Sequence, residues 1–109
     1  MANTFKLKTK ANVGVSTVGI YTAPAATTTV VIGITMASTS GSGVNVGVGI
    51  TRAGTTEDVK LLKNAPIPQG SSLEFMSGNK IVLEATDTLT VDSDTNNSVD
   101  AALTIMEIT

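Results

Sequence analysis

The sequence predicts an all-β fold, an antiparallel β-sandwich of about eight strands with a jelly-roll-like arrangement. β-Branched residues are abundant, and their stiff side chains fit the pleated surface of a sheet. Apolar residues recur at every second position through most of the chain, which places them on one face of a strand. Segments rich in Gly, Pro, Ser and Asn separate these runs, and such spacing is typical of two packed antiparallel sheets.

The strands are predicted from this alternation and end at the turn signals between them. The clearest run is 44–51, where Val and Ile occupy one face while Gly47 and Gly49 lie on the other. Glycine leaves a thin face that a neighbouring backbone can approach closely, so Gly47 and Gly49 are candidate subunit contacts. The predicted strands lie near 12–20, 27–37, 43–52, 57–63, 71–76, 79–84, 87–92 and 98–108.

The last of these strands is apolar on both faces. One face carries Val99, Leu103 and neighbours of the same kind, and the other carries Ala102, Met106 and Ile108. Because a strand with one face in water normally shows polar residues there, we expect the second face to lie against another subunit. Ala102, Met106 and Ile108 are therefore candidate subunit contacts as well.

The first residues alternate between lysines and smaller or apolar residues. Lys6, Lys8 and Lys10 share one side of this segment, which predicts either an edge strand or a basic arm. Lysines on an edge strand prevent sheets from joining edge to edge, whereas a basic arm suits docking on an acidic neighbour. The three lysines are candidate contacts, and the predicted organisation is an arm or edge strand at 1–11 followed by a single β-sandwich domain at 12–109.

Two connections are predicted in more detail. Pro66 and Pro68 cannot both lie in a central strand because proline lacks the ladder donor, so they indicate a crossover between the sheets. Ser77 and Gly78 lie between two apolar runs and indicate a tight hairpin.

Composition favours a subunit of an assembly. The chain has 109 residues, 15% charged residues, a net charge of −2 and no Cys, so one small core has no disulfide to support it. Small domains of this kind gain stability from oligomerisation, and we expect a homo-oligomer or a docked subunit. The start shows no signal for export and no segment is apolar enough to span a membrane, which predicts synthesis in the cytoplasm.

Catalytic residues are not predicted. The sequence has no His and no Cys, which removes the common bases, thiolate nucleophiles and transition-metal ligands. The available carboxylate pairs are Glu74 with Glu84 and Asp87 with Asp92, and solvated surface is the more common role for such residues. We therefore predict a protein that is not an enzyme.

Cofactor, metal and nucleic-acid sites are not predicted either. The segment 92–97 resembles the start of a calcium loop, but Asn97 and Leu103 replace its sharp-turn glycine and its bidentate acid. A polar turn is therefore predicted there, with incidental binding of a divalent cation left open. The few aromatic residues and the balanced charge do not fit a nucleic-acid surface, and Tyr21 is expected to be half-buried.

Several segments carry a resemblance to a known class of proteins. They are IYTAP at 20–24, TTTVVIGI at 27–34, NAPIPQGSSL at 64–73, KIVLEATDTLTV at 80–91, and the last strand near 98–108. In these segments the chain resembles small virion structural proteins of tailed bacteriophages, such as phages of cyanobacteria and marine bacteria. The resemblance implies a β-sandwich and a structural role in a particle present in many copies, with no catalytic residues to transfer.

The function predicted from these observations is a capsid decoration or cement protein in the virion. Its predicted partners are other copies of itself, with a trimer favoured, and the major capsid protein or another virion protein. A neck, tail or fibre-base subunit is the first alternative, since the sequence does not distinguish positions on a particle. A host-surface glycan-binding module is the second, and a small hydrolase with two carboxylates is the third.

Overall fold

A computed structural model describes the chain at residues 3–54, 57–75 and 80–109. These residues form nine β-strands, and they include no helix long and apolar enough to cross a membrane. The strands are β1 (Asn3–Val13), β2 (Val18–Thr22), β3 (Thr28–Ser38), β4 (Val44–Thr51), β5 (Asp58–Ile67), β6 (Ser72–Phe75), β7 (Ile81–Leu83), β8 (Thr88–Ser93) and β9 (Val99–Ile108).

The strands form two antiparallel sheets. The first sheet has the order β1-β9-β3-β6, with β7 also paired to β3, and the second has the order β2-β8-β4-β5. The strand pairs are nested along the chain: β1 pairs with β9, β2 with β8, β3 with β6 and β7, and β4 with β5. The chain is thus a long antiparallel ribbon, rolled so that β9 meets β3 and β8 meets β4. This is the predicted jelly-roll sandwich.

The core between the sheets is aliphatic, as the composition requires. Side chains at alternate positions of β9 point into it, and Leu103 and Ile105 have no exposed surface. The facing strands of the second sheet contribute Leu89 and Val91, which are equally buried. The alternation of apolar residues in the sequence therefore predicts correctly which residues point inward, since each strand has one face on the core.

The prediction of a strand at 12–20 is wrong. Residues 3–13 form β1, an edge strand of the first sheet, and a turn at 14–17 separates it from β2. Pairing of β1 with β9 shifts register after Lys10, and Asn12 takes a φ of 59° in this irregular stretch. The β1 strand thus continues past residue 11, through the predicted boundary, before the chain crosses to the second sheet.

The predicted hairpin at Ser77 and Gly78 has its turn outside the described residues. The strands on either side, β6 and β7, are described, and both pair antiparallel with β3. The β6 strand pairs with residues 34–37 of β3, and β7 pairs with residues 29–31. They therefore run in the same direction along one line, which the two arms of a hairpin cannot do. The hairpin prediction is wrong because β6 and β7 each pair with β3 and not with each other.

The proline pair lies where the chain leaves one sheet for the other. Pro66 pairs with Asn45 inside β5, which is the edge strand of the second sheet and tolerates a residue without a donor. Pro68 follows β5, and the turn at Gly70, with a φ of 72°, leads into β6 of the first sheet. The crossover predicted from the two prolines is thus found just after Pro66.

Candidate interaction surface

The outer face of the first sheet carries a row of apolar side chains. In the strand register, Phe5 of β1 lies opposite Met106 of β9, which lies opposite Val30 of β3, which lies opposite Val82 of β7. Residues in register point to the same side of a sheet, and the neighbouring inward row contains the buried Ile105 and Val31. The row therefore crosses the sheet on its outer side.

These side chains are well exposed for apolar residues. Phe5 is 68% exposed, Leu7 is 66% exposed and Val82 is 55% exposed. Ile108, at the next outward position of β9, is partly exposed like Met106 and Val30. We call Phe5, Leu7, Val30, Val82, Met106 and Ile108 the apolar face.

The same outer side changes character toward the other end of the strands. There the outward positions hold small residues, and they line an open hollow with a volume of about 340 Å³. Ala102 pairs with Thr9 on one side and Thr35 on the other, and Ala37 pairs with Asp100 in the next row. The first sheet thus has large apolar side chains at one end of its outer face and a hollow at the other.

Beneath the apolar face, a buried polar cluster joins the two sheets. The Tyr21 hydroxyl, from β2, donates to Glu107 Oε2 of β9 at 2.6 Å and lies 2.8 Å from the Thr29 hydroxyl of β3. Lys6 Nζ of β1 lies 2.9 Å from Glu107 Oε1. Hydrogen bonds from Tyr21 and Lys6 lower the pKa of Glu107, while burial and the bond to Glu107 raise the pKa of Tyr21 to about 12.

The structure shows where each predicted contact residue lies. Ala102, Met106 and Ile108 point outward from the first sheet, as predicted for the second face of the last strand. Lys6, Lys8 and Lys10 lie on the inward side of edge strand β1, in register with core residues of β9, and Lys6 is held by Glu107. Whether these residues contact another subunit stays a prediction.

Gly47 and Gly49 are buried on the outer side of the second sheet. A Cβ on Gly47 would lie 2.5 Å from Asp92 Oδ1 and 3.2 Å from the Leu62 carbonyl oxygen. A Cβ on Gly49 would lie 2.9 Å from the Val59 carbonyl oxygen. The backbone that approaches these glycines closely is β5 of the same chain, and a contact there with a second subunit stays a prediction.

The carboxylates considered for catalysis are engaged in structural contacts. Asp87 is buried and accepts hydrogen bonds from the N–H groups of Ala53 at 2.9 Å and Glu84 at 3.0 Å, and from Arg52 Nε at 3.2 Å. Burial by itself would raise the pKa of Asp87, but these donors outweigh it and lower the pKa. Arg52 also binds Glu84 at 2.6 Å. The group ties the end of β4 to the turn before β8.

The pairs themselves are not arranged as catalytic dyads. Asp92 lies on the outer face of β8, whereas Asp87 points inward. The two residues are separated by about 16 Å along the extended chain, at ~3.3 Å per residue. Glu74 is exposed on β6 of the first sheet, whereas Glu84 is held by Arg52. Asp92 accepts a hydrogen bond from Thr17 at 3.0 Å and lies 3.7 Å from Lys60 Nζ.

The segment resembling a calcium loop forms a turn between β8 and β9. Asp94 Oδ1 accepts hydrogen bonds from the Asn45 N–H at 3.1 Å and from the Thr95 hydroxyl at 3.1 Å. Within the described parts of the chain, no three acidic, His or Cys side chains group as metal ligands would. The oxygens of this turn are used to fasten it to β4.

Known proteins share this fold but not this sequence. No protein family and no curated protein matches the sequence. In fold, this chain is similar to chains of viral capsids. Over its full length it matches a chain in the capsid of Helicobacter pylori bacteriophage KHP30, covering 94% of that chain with 10% identity and a TM-score of 0.59.

Two further solved structures agree with this likeness. A chain of the cyanophage Pam1 capsid matches 95% of this chain over 85% of its own length, with 17% identity and a TM-score of 0.56. A chain of infectious bursal disease virus matches 96% of this chain over only 32% of its own length, with 12% identity and a TM-score of 0.57. In the phage structures the matched chains extend little beyond the shared sandwich, whereas the third has much more chain.

Sequence reasoning found one strand of the apolar face and missed the rest. Met106 and Ile108 were found because the whole of β9 is apolar on both sides. Phe5 and Leu7 were not predicted as contacts, because the prediction assigned the contact role to the alternating lysines on the other side of β1. Val82 was missed because a hairpin was predicted beside it, and only the pairing of β7 with β3 brings it next to Val30.

Proposed function

We propose that this chain is a structural subunit of a bacteriophage particle, and specifically a capsid decoration or cement protein. The supporting observation is the fold likeness over almost the whole chain to phage-capsid chains of which it covers 94% and 85%. A chain of this size matches such capsid chains nearly end to end. In this role the protein is not an enzyme, and it works on the surface of the shell by joining neighbouring capsid subunits.

The surface of the molecule supports a role in assembly. Phe5, Leu7 and Val82 of the apolar face are more than half exposed, and monomeric proteins rarely leave such residues grouped together on one sheet face. Three of the four carboxylates that would serve a hydrolase, Glu84, Asp87 and Asp92, are instead bound to Arg52, Lys60 and backbone N–H groups. Virion proteins are therefore the proposed partners, and the virion is the proposed location.

Self-association is also part of the proposal. The sequence favours a trimer as the number of copies. Identical copies associate either through one surface that meets itself or through two surfaces that meet each other. The first sheet offers the apolar face and the hollow for such contacts.

The deciding experiment is binding to shells that lack this protein. Capsids of the encoding phage, assembled without this chain, are mixed with the purified protein and sedimented, and the bound copies are counted by quantitative mass spectrometry. A decoration protein binds to saturation at a fixed ratio to the major capsid protein and raises the temperature at which the shell opens. Binding at a few copies per particle would instead indicate a neck, tail or fibre-base subunit, and no binding would contradict the proposal.

A further inference from the structure

We infer that the apolar face and the adjoining hollow form the surface through which copies of this chain bind one another. This inference rests on the self-association part of the proposed function and names the residues that carry it. The occupant is a second copy of the chain. Two features of the first sheet point to it, namely its area and its shape.

The outer face is large enough for a stable contact. β1 and β9 have 11 and 10 residues. At about 3.3 Å per residue and about 4.8 Å between strands, a sheet of this length and four strands wide presents roughly 600 Å² before the relief of its side chains is counted. A stable interface typically takes about 800 Å² of accessible surface from each partner. The face therefore matches the size of one interface.

The relief of the face fits a copy of itself. Phe5, Leu7 and Val82 stand out at one end, while Ala37 and Ala102 line the hollow at the other. The hollow holds about 340 Å³, enough for large side chains such as Phe5 and Leu7 from a neighbour. Each copy therefore carries both the protruding side chains and the hollow that receives them. A different protein could bind this chain by using either the protruding side chains or the hollow alone.

Light scattering after size-exclusion chromatography tests the inference on the full chain. The wild-type protein is expected to elute at two or more times the 11.1 kDa of one chain. The double variant Phe5→Thr with Leu7→Thr keeps β-forming residues and removes the protruding side chains. Its dissociation constant should rise by about 100-fold or more, because central aromatic and aliphatic contacts dominate such interfaces. Val15→Thr, at a site that is 57% exposed in the turn after β1, is the matched control and should leave the mass unchanged.

A substitution in the hollow provides a second test that leaves the apolar side chains in place. Ala102→Arg fills the hollow with a large charged side chain and should weaken the assembly. Thermal unfolding of each variant separates loss of assembly from loss of folding. A wild-type monomer at all concentrations, or a Phe5 and Leu7 variant as oligomeric as the wild type, would overturn the inference. A monomer that still saturates empty shells would overturn it while leaving the decoration function standing.

Discussion

The hydroxyl of Tyr21 donates a hydrogen bond of 2.6 Å to the buried carboxylate of Glu107. Tyr21 belongs to β2 of the second sheet and Glu107 to β9 of the first, so the bond joins the two layers of the sandwich. Glu107 occupies an inward position between aliphatic neighbours, where an unpaired carboxylate would be costly. Tyr21 and Lys6 satisfy it, and this cluster also lies directly under the row that contains Met106.

Removal of the phenol should destabilise the fold. Tyr21→Phe leaves Glu107 and Thr29 without this partner, and an unsatisfied buried group costs about 1–3 kcal/mol. The free energy of unfolding in urea should fall by that amount. Thr22→Val is the control, because it removes the adjacent hydroxyl, which is exposed and lies 2.9 Å from the Thr88 hydroxyl. An equal loss in both variants would contradict a special role for the cluster.

The single tyrosine permits a direct optical test of the same contact. The chain has one Tyr and no Trp, so absorbance near 295 nm reports Tyr21 alone. Burial and the bond to Glu107 raise its pKa to about 12, compared with about 10 for an exposed phenol. Stability from the neutral phenol is complete below about pH 10 and is lost as the pH rises toward 12. A folded protein that titrates near pH 10 would show that the phenol is exposed.

Acid should destabilise the protein through two carboxylates. The pKa values of Glu107 and Asp87 are both lowered in the folded chain, so their stabilising contribution is present above the unfolded values of about 4.3 and 3.9. It is lost as the pH falls through the lower folded values. Unfolding measured from pH 7 to pH 2 should show little change above about pH 5 and a decline below it. The variant Asp87→Asn should flatten part of that decline.

Gly49 and Gly33 differ in what surrounds them. Gly49→Ala places a Cβ 2.9 Å from the Val59 carbonyl oxygen, and a backbone atom cannot move aside as a flexible side chain can. The substitution should cost about 1–3 kcal/mol of unfolding free energy, the usual range for overpacking. Gly33→Ala is the control, because no atom of the described residues, apart from its chain neighbours, lies within 4 Å of its Cβ position. Chemical denaturation of both variants at low protein concentration measures the difference.

Local pattern was enough to predict the sandwich because each strand has one face on the core. Alternating residues such as Val44, Val46 and Leu103 identify their own strand and its inward side without knowledge of any partner. The alternation alone predicts the jelly-roll class and the long strands β3, β4 and β9. It also predicts that Met106 and Ile108 point outward. The crossover near Pro68 followed from the missing donor of proline.

The local sequence pattern does not predict which strands pair with each other. The interruption between β6 and β7 has the composition of a hairpin turn, and only β3, which pairs with both strands, shows that they continue one another. Likewise β1 looks like a charged arm until β9 provides its register, which assigns Lys6 to the inside and Phe5 to the outside.

The sequence by itself determined the fold class and the inward side of each long strand, since the side-chain alternation of a strand is a property of the strand alone. Only the tertiary structure decided which outward side chains become neighbours. Phe5, Val30, Val82 and Met106 are far apart in the chain and come from different strands, and the register of three separate pairings brings them into one row. A surface made by long-range pairing leaves no periodic signal within any one segment of sequence.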